Sequence, residues 1–309
     1  MSAIPSGVIN IIKPPGPTSQ DVVTDVKRTL QVKKVGHTGT LDPGAAGVLP
    51  ICVGKATRLF DYLVDKDKRY RFEIQLGMAT DTLDSYGALL EKQAIRRYAA
   101  DEVQVAIAAL IGRQTQLPPL YSAVKLDGQS LHRLARKGQD AAAESQIRQK
   151  KAREIEVYDF QLVEETAENR FLLEAHCSKG TYVRVLAEEV ARRLGTIAVV
   201  SFLLRTQTGA YALEDAISLD ELRECAQDGS ANVHIQPLDE ALAFYPAIDV
   251  PGAQYQKLRN GNAVAFAGDG ESGLCRVYCR GEFFGMGTVE QGALSLRSML
   301  WEPGGISEK

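Results

Sequence analysis

Long apolar runs are missing from this sequence. The longest early one, residues 8–12, is interrupted by Asn10, far short of the roughly 20 residues a bilayer-spanning helix needs. No basic, then apolar, then small-residue pattern opens the chain, so neither a membrane anchor nor a secretory signal is expected. Cysteine is sparse: Cys52, Cys177, Cys225, Cys275 and Cys279 form an odd, scattered set. That argues against a disulfide framework and for a reducing, cytoplasmic setting. Cys275 and Cys279 lie close together, but no second pair or nearby histidine completes a zinc set. His37, His132, His176 and His234 are equally dispersed, so no metal site is expected. The phosphate-loop pattern G-x-x-x-x-G-K-S/T is absent, and no dinucleotide fingerprint follows a strand. No cofactor is expected.

What remains is an ordinary globular composition. The chain has 309 residues, 45% hydrophobic and 24% charged, which suits about two domains and a core that needs no staples. Its net charge of −3 hides an asymmetry. Residues 1–70 carry ten Lys/Arg against six Asp/Glu, and residues 125–153 carry eight against three. Residues 210–309 carry seven against fifteen. Two basic segments in the front half suit a polyanionic partner such as nucleic acid, although basic segments are often only solvated faces.

Patterning gives a coarse layout. Residues 7–12 read as a strand, and Thr18 or Ser19 caps a helix to about Leu30. Residues 36–47 form a glycine-rich loop. Tyr70, Phe72, Ile74 and Leu76 alternate with polar residues as a strand does. Residues 101–111 form a helix stopped by Gly112. A strand over 171–177 precedes a helix over about 182–194, and Ser218 with Glu221 opens another. Beyond residues 240–250 come glycine-punctuated short strands, with a hairpin around Arg280-Gly281-Glu282. Strands and helices mix without regular βαβ alternation, so the fold class is α+β. With no heptad seam or exposed apolar repeat, a monomer is expected.

Chemistry concentrates in a few places. In Gly36-His37-Thr38-Gly39-Thr40-Leu41-Asp42-Pro43-Gly44-Ala45-Ala46-Gly47, the proline pushes Asp42 towards extended backbone. The glycines admit a ligand or another backbone. An aspartate so placed can project a carboxylate from a shaped loop. Asp-Pro-Gly is also an ordinary turn, and on pattern alone that meaning is the commoner. A carboxylate in a dry pocket needs a cationic partner. Arg184, opening a helix after Lys179-Gly180-Thr181-Tyr182, suits that role, or is a surface arginine. Tyr70, behind Lys66-Asp67-Lys68-Arg69, fits base stacking beside phosphate contacts and fits a core tyrosine equally. Asp81 and Asp84 read as turn residues before a metal site, and Leu203 as core.

These segments together resemble the bacterial tRNA pseudouridine-55 synthases, the TruB family. The match rests on Asn10-Ile11-Ile12-Lys13-Pro14-Pro15-Gly16-Pro17-Thr18-Ser19-Gln20-Asp21, on Gly36-His37-Thr38-Gly39-Thr40-Leu41-Asp42-Pro43 and on Cys177-Ser178-Lys179-Gly180-Thr181-Tyr182-Val183-Arg184. Lys68-Arg69-Tyr70, residues 77–84 and Leu117-Pro118-Pro119-Leu120-Tyr121-Ser122-Ala123 extend it in family order. The resemblance implies a cofactor-independent isomerisation of T-loop uridine 55 to pseudouridine, with the base flipped out. It implies Asp42 as catalytic aspartate, Arg184 as its partner and Tyr70 as the residue stacking on the base. His37 supports the extruded nucleotides, Tyr182 and Leu203 line the uracil pocket, Asp84 joins the substrate-binding set, and Lys13 is mainly structural. It further implies a pseudouridine synthase fold over residues 1–245, with a largely antiparallel mixed sheet flanked by helices and a thumb-like insertion at about 120–153. A small, mostly β PUA-like RNA-binding domain over 246–309 completes it. The partner is the tRNA T-arm stem-loop, with no membrane and no obligatory protein partner.

The chain departs from the family pattern at Ala46 (usually threonine), His132 (often tyrosine), Leu204 (often arginine, beside Arg205) and a longer stretch at 139–151. Two other readings are weighed against the synthase. One is an RNA-folding factor whose catalysis is incidental. The other is a guide-RNA-directed relative, against which stands the lack of long terminal segments for partner assembly.

Overall fold

A computed structural model describes residues 4–64, 66–119, 121, 125–126, 129–130, 149–266 and 273–301. His132 and most of the thumb-like insertion, including positions 139–148, lie outside the described residues.

Period-two burial builds the main sheet. In Lys68–Leu76 every even residue is buried, and in Arg170–Cys177 every odd one, as half-buried strands require. Ten strands join. Eight of them run in the order Ile235–Pro237, Gly7–Lys13, Ala46–Val53, Ala198–Thr208, Lys68–Leu76, Arg170–Cys177, Arg153–Ala167 and Gly112–Gln116. Val35–His37 and Tyr211–Ala212 pair off this path, with Ala46–Val53 and Ala198–Thr208 respectively. Within this sheet the described pairings are antiparallel except at the middle. There Ala46–Val53 and Ala198–Thr208 run parallel, through Leu204 opposite Ala46 and Arg205 opposite Gly47. This central seam divides the sheet, and the functional loop leaves beside it.

Helices cover the sheet where their apolar stripes dictate. Ser19–Thr29 starts at Thr18, whose hydroxyl accepts from the Asp21 N–H in a capping box, a device whose removal costs about 1 kcal/mol. Its Val22, Val23 and Val26 bury against Ile9, Ile11 and Ile51. Val183–Arg193 sets Leu186 and Val190 against the cluster of Phe72, Phe171 and Leu173. The expected helix over 101–111 is Ala100–Ala108, and Gly112 already belongs to a strand. The fifteen-residue strand Arg153–Ala167 was not foreseen. Several register shifts against Arg170–Cys177 blur its alternation.

A second, five-stranded sheet runs Ala247–Asp249, Gly273–Cys279, Glu282–Glu290, Ala293–Met299, Val264–Ala265. Its Met286, and Leu300 just beyond its last strand, bury in one cluster with Leu59, Leu63 and Leu242. Lys55 Nζ donates to the carbonyls of Leu300 (2.6 Å) and Trp301 (3.1 Å). Among the described residues no helix is long and apolar enough to cross a membrane.

Candidate active site

The loop over residues 38–45 joins Val35–His37 to Ala46–Val53, whose residues pair across it from His37 opposite Ile51. Three side chains hold its carbonyls. Arg205, 1% exposed, donates from Nη2 to Gly39 O (3.1 Å), from Nη1 to Thr40 O (3.3 Å) and from Nε to Val48 O (2.8 Å). Ser19 Oγ accepts the Leu41 N–H (2.9 Å) and donates to Leu41 O (3.1 Å). Lys13, fully buried, donates from Nζ to Pro43 O (3.0 Å) and Ala45 O (2.7 Å). Gly47 closes the clamp, since a Cβ there would meet Arg205 O at 2.2 Å. Asp42 itself begins a turn, its carbonyl accepting the Ala45 N–H at 3.1 Å. The turn and the projecting carboxylate are therefore one structure, not alternatives.

That clamp is costly to break. Arg205→Met leaves three carbonyls without their donor in a buried site, at roughly 1–3 kcal/mol each before relaxation. We expect a net destabilisation on the order of 3–5 kcal/mol, read as a fall in the thermal midpoint of roughly ten degrees. An unchanged midpoint would mean that Lys13 and Ser19 suffice.

Asp42 points at a fixed guanidinium. Arg184 Nη2 lies 2.8 Å from Asp42 Oδ2, with Arg184 4% and Asp42 38% exposed at the side chain. Arg184 also donates to Thr82 O (2.6 Å) and Tyr121 O (3.0 Å). Behind it stands Asp84, with Oδ2 3.7 Å from Nη1. Asp84 Oδ1 in turn accepts from the Thr82 hydroxyl (2.7 Å) and the Tyr86 N–H (3.0 Å). The start of the Arg184 helix is tied by Gln116, which accepts the Tyr182 N–H (2.7 Å) and donates to Tyr182 O (3.2 Å). Burial pushes the Asp42 carboxyl above its ordinary pKa; Arg184 opposes this, Asp84 adds to it, and Lys13 opposes it less.

Asp42 and Arg184 stand on a cleft of about 660 Å³ lined also by Tyr70, Tyr182, Leu203, Lys68, Arg153 and Arg205, a size and character suited to a small organic group. Tyr70 belongs to the hydrophobic cluster and to the cleft wall at once. Burial pushes its phenol up to about 12, and its hydroxyl meets the Arg205 guanidinium, so it stays protonated at neutral pH. Lys68 is 8% exposed, and burial lowers its ammonium to about 8, with Arg205 contributing. Arg153 stands 5.2 Å over the Tyr182 ring. Much of the cleft wall is thus cationic and aromatic.

Asp42, Tyr70, Tyr182, Arg184 and Leu203 come together in this cleft. Lys13, His37 and Asp84 do not line it. Lys13 sits beneath the loop, its pKa lowered to about 8 by burial while Asp42 pulls the other way. Asp84 backs Arg184 and is not a solvated turn residue. His37 is half-buried with no protein partner for Nδ1, and burial followed by the Arg205 charge holds it below the ordinary imidazole range. Sequence reasoning gave Arg205 no role of its own, took Lys68 only as part of a basic run beside Tyr70, and missed Gln116. The first two were within reach: Leu203 and Arg205, like Lys68 and Tyr70, are two apart on paired strands and share a face. Leu204 points to the opposite face. As the partner of Ala46 across the seam, it places two of the departures from the family pattern against each other.

Comparisons with known proteins identify the family. A family model described as TruB family pseudouridylate synthase (N terminal domain) matches residues 27–183. One described as Pseudouridine synthase II TruB, C-terminal, matches residues 246–299. The tRNA pseudouridine synthase B of Caldanaerobacter subterraneus subsp. tengcongensis is 40% identical over 92% of this chain and 95% of its own. That of Clostridium perfringens is 37% identical over 96% and 99%. Among solved structures, a Cbf5-Nop10-Gar1 complex aligns at TM-score 0.70 and 27% identity over 93% of this chain and 79% of that one. An H/ACA RNP bound to a substrate RNA containing 2′-deoxyuridine shares the fold at TM-score 0.71 and 24% identity, over 96% and 85% of the two chains. With near-full-length relatives at about 40% identity and a synthase model over residues 27–183, the chain belongs to the TruB family and is an isomerase that makes pseudouridine in tRNA.

Proposed function

We propose that the chain converts uridine 55 of the tRNA T-loop to pseudouridine, acting alone on the T-arm. The observation that carries this reading is the Asp42–Arg184 pair, 2.8 Å apart on a cleft bearing Tyr70 and Leu203. Isomerisation breaks the N1–C1′ bond, turns the uracil and joins C5 to C1′. The target lies inside a folded loop and must be flipped out before any group can reach it. Tyr70 and Leu203 supply the aromatic and apolar surfaces for the freed base, and Lys68, Arg153 and Arg205 the positive field for the backbone around it. Bond cleavage builds positive charge at C1′, which a carboxylate opposes. Attack at C1′, attack at C6 and abstraction of a sugar proton all need Asp42 ionised. Arg184 keeps it so and aims it, while Asp84 and Thr82 aim Arg184.

The test is tritium release from tRNA carrying uridine labelled at C5, with purified protein alone. Release that vanishes when the T-loop uridine becomes cytidine supports the assignment; undiminished release places the target elsewhere.

The pH profile follows from the same pair. A carboxyl whose pKa is raised loses its charge as pH falls through that raised value, so kcat/KM has an acid limb above the ordinary aspartate pKa of 3.8. Asp84→Asn removes a negative charge that raises it and leaves Arg184 to Asp42. The acid limb of that variant moves to lower pH. A limb that stays in place would detach Asp84 from the ionisation of Asp42.

A further inference from the structure

Beside the cleft lies a small notch lined by Gly44, Asp84, Tyr86, Ser201 and Phe202, sharing Asp42, Arg184 and Leu203 with the cleft. Two aromatic side chains stand exposed there, Tyr86 at 69% and Phe202 at 45%. Tyr86 is placed rather than left over. Its N–H is held by Asp84 Oδ1, the carboxylate facing Arg184. Its ring lies against the backbone of Gly44 in the Asp42 turn, where a Cβ would sit 2.3 Å from Cε2 and 2.4 Å from Cδ2. A glycine at 44 is therefore the condition for this ring to occupy this place. The result is a large aromatic surface, anchored at one side to the reactive loop and open to solvent at the other. The notch adjoins the cleft through Asp42, Arg184 and Leu203, so it is a surface next to any target held there.

We propose that Tyr86 is a stacking platform for the unpaired base of a nucleotide adjoining the target, with Phe202 extending its apolar surface. The proposal rests on the T-loop reading above. Flipping one nucleotide out of a loop strips its neighbours of their stacking partner, and an exposed ring at the mouth of the site replaces that partner. Every base has a π-face, so the contact needs no sequence match. It would act on binding of the distorted loop, and hence on KM before kcat.

The test compares Tyr86→Leu, which still covers Gly44 but cannot stack, with Tyr86→Phe, which can. Substrates are T-arm stem-loops, intact or with an abasic nucleotide on either side of the target. Tyr86→Leu is expected to raise KM about 5- to 150-fold, the range one stacked base covers, with kcat little changed and Tyr86→Phe near the parent. An abasic nucleotide at one of the two positions should cost the parent a similar factor and Tyr86→Leu nothing further. A leucine variant with the parent's KM overturns the proposal, as does an abasic penalty that is absent in the parent or undiminished in the variant. Failure of the T-loop assignment would show differently, as tritium release that survives replacement of the target uridine.

Discussion

Asp42→Asn abolishes tritium release, lowering kcat by at least about four orders of magnitude, the scale on which a reacting group is lost, while tRNA still binds. Asparagine nearly matches aspartate in shape, and the turn bond from the Ala45 N–H uses the backbone carbonyl of residue 42, so the loop persists. Arg184 keeps Thr82 O and Tyr121 O and stays in place. Only the negative charge goes, and it faces a polyanion across a basic cleft. Affinity should therefore hold or rise, and binding by the silenced variant is the measurement that separates a failed site from a failed fold. It also divides the synthase from an RNA-folding factor: folding of a misfolded tRNA should survive in Asp42→Asn. Residual isomerisation within tenfold of the parent would remove Asp42 from the centre of the chemistry.

Arg184→Lys is expected to be nearly as damaging to turnover, with kcat down by roughly two to three orders of magnitude, as when a preorganised donor is removed. The exchange keeps the charge but not the geometry. Arg184 serves Thr82 O with one terminal nitrogen and Asp42 and Tyr121 O with the other, and a single ammonium cannot reach that spread. At least one buried carbonyl is left bare, so a loss of roughly 1–3 kcal/mol of stability accompanies the kinetic effect. The half-open position of Asp42 softens the electrostatic part, because solvent reaches that partner. Single-turnover kinetics with a thermal melt separate the two effects. A kcat near the parent's would show that charge without alignment is enough.

The site was legible where chemistry depends on rare residue types at close spacing. Asp42 before a proline among glycines, and Arg184 at the start of a helix, stand out as candidates, although pattern alone favours an ordinary turn for the first and leaves the second open as a surface arginine. Their pairing does not stand out, because 142 positions separate them and only the sheet brings them together. Tyr70 could not be assigned to core or cleft because it serves both. Asp84 was underestimated because a carboxylate in a turn is usually solvated, and its partner comes from a distant helix. Arg205 was read through its neighbour: an arginine on a strand suggests the surface until the partner loop, with its bare carbonyls, is seen beside it. Fold class followed from irregular alternation of strands and helices. The parallel seam at Leu204 and Ala46, only two residue pairs long, left no trace in periodicity.

That seam also orders events in time. The loop carrying Asp42 is made early, but the arginine that clamps it from across the seam comes 163 residues later. At roughly 5–20 residues per second of synthesis, the nascent loop waits about ten to thirty seconds for Arg205. Until then the carbonyls of Gly39, Thr40 and Val48 lack that donor and Asp42 lacks its final mount, and before residue 184 it lacks its partner as well. A ribosome-bound chain stalled before residue 184 should therefore be inert towards tRNA. The site is complete only once the central strand Ala198–Thr208 has been made, so competence follows the synthesis of that strand and not of the loop that carries Asp42.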